Sequence, residues 1–138
     1  MKMSFTFDGK ALAANLRAMP KANARTAQID ALLEAAEPIR AVARRLAPRA
    51  PGAPDMAENI ESMQTRRAKD VSNTEHGVIV GPIKWAFYAF FQEWGTVRHA
   101  AQPFLRPAFD QNVTRSLGIL QRRLWENIQS WLQSRDVR

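Results

Sequence analysis

Apolar residues recur along this chain at two periods, and the switches between them divide it into elements. Phe5 and Phe7 alternate with Ser4 and Thr6, the period-two pattern of a short strand. Asp8-Gly9 turns the chain, and Ala11 to Met19 reads as a short helix that Pro20 restarts. From Lys21 to Leu46, the residues Ile29, Leu32, Leu33, Ala36, Ile39, Ala43 and Leu46 recur at steps of three and four. That spacing draws one apolar stripe along a long helix, with Arg25, Glu34, Arg40, Arg44 and Arg45 largely off it. Pro38 lies inside the pattern, where it removes one backbone hydrogen bond and crowds the carbonyl of Glu34. A kink or a short break is expected there, and the surrounding alanines favour the kink.

After Ala47, the prolines at 48, 51 and 54 and Gly52 make 47–57 a Pro-rich loop, and Asp55 with Glu58 three residues on suits a brief helical turn. Ile60–Arg67 and Gly77–Gly81 are the predicted strands; the second is a β-branched run bounded by glycine, and Arg66-Arg67 suits an exposed hairpin edge. Trp85 to Trp94 is ambiguous. Phe87, Phe90, Phe91 and Trp94 have helical spacing, yet so continuous an apolar run also fits a buried strand. Gly95 follows as a natural left-handed cap and favours the helix. The last helix starts near Pro107, with Val113, Leu117, Leu120, Leu124, Ile128 and Trp131 as its stripe. The predicted core is Ile29, Leu33, Ala36, Val80, Phe87, Phe91, Leu117, Leu124 and Ile128. The pattern predicts one α+β domain over 1–138: a small antiparallel sheet packed by a long kinked helix and a C-terminal amphipathic helix.

Composition narrows the function. No cysteine is present, which removes disulfides, thiolate catalysis and thiolate metal sites. The opening MKMSFTFDGK has no apolar core of a signal peptide, and no apolar run approaches the roughly 20 residues of a membrane helix, so a soluble protein is expected. Net charge is +7 and uneven: nine basic and four acidic residues in 1–50, five and six in 51–100, six and three in 101–138. Basic ends permit contact with nucleic acid or an acidic protein surface; a solvated helix face explains them equally well.

Catalytic chemistry finds little support. His76 and His99 lie in predicted loops without metal-ligand spacing, and no Gly-rich phosphate loop, His-Glu-x-x-His or Gly-x-Ser-x-Gly occurs. Glu93 is the one carboxylate in an aromatic setting. It could serve as a base with a raised pKa, but a cap or an ion pair with Arg98 or Arg106 is the stronger reading. The tryptophans 85, 94, 125 and 131 suggest either a stacking platform for single-stranded bases or, more simply, core and interface packing. No enzyme activity, cofactor or metal is expected.

The stretch YAFFQEWGTVRHAAQPFLRPAFD, Tyr88 to Asp110, carries more information than its composition. Gly95 permits a sharp reversal, Pro103 forbids regular pairing, Phe104 and Leu105 pin the restart to the core, and Arg106 is left for a carboxylate. The order Tyr88, Ala89, Glu93, Trp94, Gly95, Thr96, then Pro103, Phe104, Leu105, Arg106, Pro107 and Ala108 resembles a signature of small neck proteins of tailed bacteriophages, the head–tail joining or minor tail protein Z type. The opening strand, the Ala-rich helix ending in Ala-Pro-Arg and the terminal helix match that family's layout. The loop after Ala-Pro-Arg departs from it, with only Gly52 and Ile60 in common.

The resemblance implies a structural virion protein of the neck, assembled in the host cytoplasm as a homo-oligomeric ring, expected to be a hexamer, around the DNA conduit. Its partners would be the adjacent connector or head-closure protein and the tail terminator or tail tube, with non-specific contact to genomic DNA in the lumen and no membrane. The interface residues it implies are Tyr88, Glu93, Gly95, Thr96, Arg98, Pro103, Phe104, Arg106 and Pro107. A small basic nucleic-acid-binding protein is the alternative.

Overall fold

The computed structural model describes residues 9–49, 56–64, 77–83 and 88–136. These form α1 (Gly9–Ala18), α2 (Lys21–Leu46), β1 (Ile60–Gln64), β2 (Val78–Pro82), α3 (Tyr88–Trp94) and α4 (Leu105–Asp136), with a 3-10 turn at Ala57–Asn59 ahead of β1. The fold is α+β. The predicted strand at Phe5 and Phe7, most of the Pro-rich loop, residues 65–76 and Phe87 lie outside the described residues.

The long helix falls where its periodicity put it, and it continues through Pro38 without a break. It is the element that the others pack on. Helix α4 runs antiparallel to it: Asn127 Nδ2 donates to the Ala27 carbonyl at 3.2 Å, Arg123 pairs with Glu34 midway, and Ala108 shares a core with Ala43 near the far end. The seam between them is made of small residues. Ala27, Ala31, Ala35, Ala36 and Ala43 are buried on α2, facing Ala108, Asn112 and Ser116 early in α4 and Ile128 late in it. Small side chains let two helices approach closely, so the larger residues of the predicted stripe flank the seam instead of forming it.

That geometry corrects part of the predicted core. Ala36 and Ile128 are buried, whereas Ile29, Leu33, Val80 and Leu124 are half-buried. Leu117 is 53% exposed, because one position earlier Ser116 takes the place against α2 and a step of one residue turns a side chain ~100° around the helix. Phe91 is 49% exposed, because α3 buries Ala89 and Glu93 and turns its aromatics outward.

Two cores result. In the first, Ala43, Ala47, Met56, Ala57, Ile60, Ala89, Phe104 and Ala108 gather where the sheet, α3 and the start of α4 meet the end of α2. In the second, Leu12, Met19, Ala27 and Ile128 join α1 to the opposite end of the α2–α4 pair, with Leu124 and Trp131 packed against them. Between the two, Glu34, Arg122, Arg123 and Glu126 form a part-exposed ion-pair network across the helices.

The sheet has two strands, with Ile60 opposite Pro82 and Ser62 opposite Val80. A two-stranded ribbon needs a surface to lean on. Here Ile60 is fully buried and Val80 packs against the first core, while Glu61 and Ile79 point outward. Arg44 Nε on α2 donates to the Ile60 carbonyl at 2.9 Å and ties β1 to the long helix.

Ile128→Ala should therefore lower stability by about 2–5 kcal/mol, the range for truncating a closely packed apolar side chain, while Leu117→Ala should change it by no more than about 0.5 kcal/mol. Urea denaturation of both variants measures the contrast, and equal losses would contradict the small-residue seam.

Candidate functional site

Helix α3 has seven residues, too few to hold itself together without tertiary support. Its buried face is Ala89, 1% exposed, and Glu93, 4% exposed. The chain then reverses at Gly95, whose φ of +76° is the only positive value among the described residues. The Gly95 N–H closes the helix onto the Phe91 carbonyl at 2.8 Å. A Cβ at Gly95 would lie 2.8 Å from the Ala101 nitrogen and 3.0 Å from the His99 oxygen, so both the conformation and the space demand glycine.

Thr96 organises the turn that follows. Its N–H donates to the His99 carbonyl at 2.9 Å, and its Oγ1 accepts from the backbone N–H groups of Arg98 and His99 at 3.3 and 3.1 Å. The Gln102 N–H then reaches back to the Gln92 carbonyl at 2.8 Å, which brings the loop's exit beside α3. Phe104, fully buried, anchors the restart.

The Glu93 carboxylate sits at the N-terminus of α4. Its Oε2 accepts the N–H groups of Phe104 at 2.8 Å and Leu105 at 2.9 Å, and its Oε1 accepts the Arg106 N–H and Arg106 Nε, both at 3.1 Å. Arg106 Nη2 also donates to the Glu93 backbone carbonyl at 3.1 Å. A helix start leaves its first N–H groups without intrahelical acceptors. Here Phe104 offers no side-chain acceptor, and a carboxylate from the preceding helix takes that role. Pro107 has no N–H to satisfy, and the Ala108 N–H begins the helical ladder by donating to the Phe104 carbonyl at 3.3 Å. Every donor of the first turn is accounted for by the order Phe-Leu-Arg-Pro-Ala and one distant glutamate.

Burial by itself would raise the Glu93 pKa, but the three backbone N–H groups and the Arg106 side chain outweigh it, and the pKa is lowered. With its oxygens filled and its proton affinity reduced, Glu93 is a structural acceptor and not a poised base. Arg106 is its partner; Arg98 is exposed and forms no ion pair among the described residues. The Arg106 guanidinium also lies 4.6 Å from the Trp94 ring centroid, a cation–π contact.

Of the other predicted residues, Tyr88 packs against the first core, Pro107 is half-buried, and Thr96 and Pro103 are exposed. The described tryptophans do not gather. Trp94 is on α3, Trp125 faces outward from α4, and Trp131 packs on the second core near the end of α4. Trp85 and His76 lie outside the described residues. Among those described, no three His, Asp or Glu side chains are arranged to hold a metal ion, and no helix is long and apolar enough to cross a membrane.

Two features were not read from the sequence. Asn112 and Ser116 are buried polar residues on α4; Asn112 Nδ2 donates to the Ala108 carbonyl at 2.9 Å, and Ser116 Oγ has no partner. Small polar residues four apart on one helix face were the available signal. Beside them lies an open hollow of about 350 Å³ lined by Glu34, Glu37, Pro38, Val42, Asn112 and Arg115. Its carboxylates are already paired, Glu37 with Arg40 and Glu34 with Arg122 and Arg123. The second feature is an aromatic surface. Phe90 is 63% and Trp94 59% exposed, their rings 6.2 Å apart, and Val97 beyond them is fully exposed.

Comparison with family models, with curated proteins and with solved structures gave no match to this chain.

Glu93→Ala should cost about 1–3 kcal/mol, the range for leaving a buried donor unsatisfied, since it strands the Phe104 N–H while the unpaired Arg106, 54% exposed, stays hydrated. Because the folded-state pKa lies below the ordinary value of 4.5, the glutamate's contribution is complete above that value and is lost as pH falls through the folded pKa. Thermal melts from pH 6 to pH 2.5 should show wild type and Glu93→Gln converging as the pH drops; a constant gap would refute the charged cap.

Proposed function

We propose that this chain is a structural protein of the phage neck, a head–tail connector or tail-completion subunit that assembles as a ring around the DNA conduit. The observation that carries the reading is the aromatic surface of Phe90, Phe91, Trp94 and Val97. Exposed apolar clusters of this kind mark sites of association. This one is presented by a helix whose placement depends on the Glu93 cap, so the neck-like signature and the sticky surface are one construction: the signature fixes α3, and α3 displays the aromatics.

The occupant we assign to this surface is a second copy of the chain. A ring is built from head-to-tail contacts between two different patches on each subunit, closed by rotation. On another element, α4, Leu117 and Trp125 are 53 and 43% exposed about two turns apart and offer a second apolar site, while Phe109, 52% exposed, is turned about 160° from Trp125 around the helix. Neither set is required by the cores. A hexamer is the proposed stoichiometry, with connector or head-closure proteins on one side and tail proteins on the other; the virion is the proposed location, and the role is adhesive, not catalytic.

The double variant Phe90→Ser/Phe91→Ser tests the assembly, because Phe90 and Phe91 are 63% and 49% exposed and neither belongs to a core. It should keep the wild-type melting temperature and lose the oligomer seen by size-exclusion with light scattering. In a phage lacking the gene, electron microscopy should find filled or leaking heads and separate tails in one lysate, with joining restored by wild type and not by the double variant. Joined, infectious particles without the gene would end the neck reading; a monomeric wild type, alone and in virions, would end the ring.

A further inference from the structure

The end of the molecule built from α1, the start of α2 and the finish of α4 carries exposed positive charge with few carboxylates beside it in sequence. Elsewhere Arg40 is paired with Glu37, Arg106 with Glu93, and Arg122 and Arg123 with Glu34 and Glu126, while Arg45, Arg49, Arg98 and Arg115 are exposed on separate elements without an ion pair among the described residues. Around the second core, Arg17, Lys21, Arg25 and Arg135 are exposed and form no ion pair among the described residues, and Lys10 is exposed beside them in sequence on α1. The carboxylates in these stretches, residues 9–30 and 127–136, are Asp30 and Asp136 alone.

The helix dipole accounts for Arg17 and Arg135, each in the last turn of its helix, but not for Lys21 and Arg25. Lys21 opens α2 and Arg25 follows one turn later, where the positive end of the helix dipole disfavours cations, and neither α1 nor α2 has an acidic residue in its first turn. Nor do the stems serve the apolar packing, which belongs to Leu12, Met19, Ala27 and Ile128. On α1, Lys10 and Arg17 are seven residues apart and share a face, and on α2 Lys21 and Arg25 are four apart and share another. The Arg135 guanidinium carbon lies over the Trp131 ring, 5.0 Å from its centroid, a cation–π contact that leaves the exposed side chain charged.

We infer that this end is a contact surface for the sugar–phosphate backbone of duplex DNA. Separated, solvent-exposed cations drawn from three helices suit a polyanion with regularly spaced charges. They do not suit a compact anion, which needs converging donors, and among the described residues Trp131, half-buried with Arg135 over its ring, offers no open platform for unpaired bases. Nothing in the surface reads base edges, so binding is independent of sequence and falls steeply with salt. The surface is a property of the single chain, and its test does not depend on ring formation or on a neck role.

The experiment uses the full chain and a fluorescent random-sequence duplex of about 30 base pairs, titrated from 25 to 200 mM salt. Two triple variants with the same charge change are compared: Arg17→Glu/Arg25→Glu/Arg135→Glu at this end, and Arg45→Glu/Arg49→Glu/Arg98→Glu at the other. The first should weaken binding at least tenfold at the lowest salt and make the slope of log affinity against log salt shallower by about 2–3, near 0.9 per lost phosphate contact. The second should change affinity less than threefold. Melting temperatures verify folding, and Arg→Gln versions of both sets repeat the comparison with a gentler change. Equal losses from the two ends would show only net charge at work and overturn the proposal. So would the absence of wild-type binding at low salt, or competition by polyglutamate as effective as by unlabelled duplex, which would point to an acidic protein instead.

Discussion

The Glu93 carboxylate is the interaction on which the rest of the structure turns. It is supplied by a helix too short to persist alone and is consumed by the start of the longest helix in the fold. Three backbone N–H groups, one guanidinium and a proline that contributes no donor converge on it. The cap fixes the angle at which α4 leaves the loop, and that angle places Phe104 and Ala108 in the first core. From there α4 runs back along α2 to reach the second core and α1. Losing the cap would therefore loosen α3, the start of α4 and the first core together, because the same atoms serve all three. Arg106 adds a second tie by holding Glu93 through its side chain and its carbonyl while covering the face of Trp94.

Close approach of α2 and α4 depends on a different kind of constraint. The alanines of α2 hold little apolar area each, so the seam gains from contact along its whole length and not from any single large side chain. The price is local: Ser116 is buried with an unbonded hydroxyl oxygen, and Asn112 can satisfy its amide only within its own helix. Both residues fit a space that Leu would overfill. The same narrowness turns the leucine at 117 outward and produces part of the apolar surface that an assembly could use.

Most of the element plan was legible in the sequence, and the failures share a cause. The bounds of α2 followed from periodicity and from Pro20 and Pro48 at its ends. The second strand followed from β-branched residues between glycines, and the α3 helix from a glycine able to take positive φ. Hydrophobicity, however, says that a residue would gain from burial, not that the partner surface leaves room for it. Phe91 and Leu117 were expected inside on that ground, and the space they would need is taken by Glu93 and Ser116. Periodicity also weighs Ile29 and Leu33 above Ala27 and Ala31, although the alanines are what α4 touches. The candidate site was partly legible: the pairing of Glu93 with Arg106 could be named from charge and proximity, but Arg98 was an equal contender until the turn at Thr96 directed it to solvent. The capping of three consecutive N–H groups requires a fold before it can be seen.

A cap made by tertiary contact also bears on how the signature segment could act in an assembly. A local N-cap such as Ser or Asp at position 104 would start α4 with no reference to α3, and the two helices could then move independently. With the cap on α3, the outward aromatics and the long helix are tied through one carboxylate, and a load applied to Phe90 or Trp94 passes into α4 and across the seam to the basic end. A subunit that holds two partners under strain gains from that continuity; a monomeric DNA-binding protein would not need it. The distribution of pairing points the same way. Charges are neutralised inside the Glu93 site and between the helices, and Arg17, Lys21, Arg25 and Arg135 are left open at the α1 end, so the proposed adhesive and polyanion surfaces would lie at opposite ends of one connected frame.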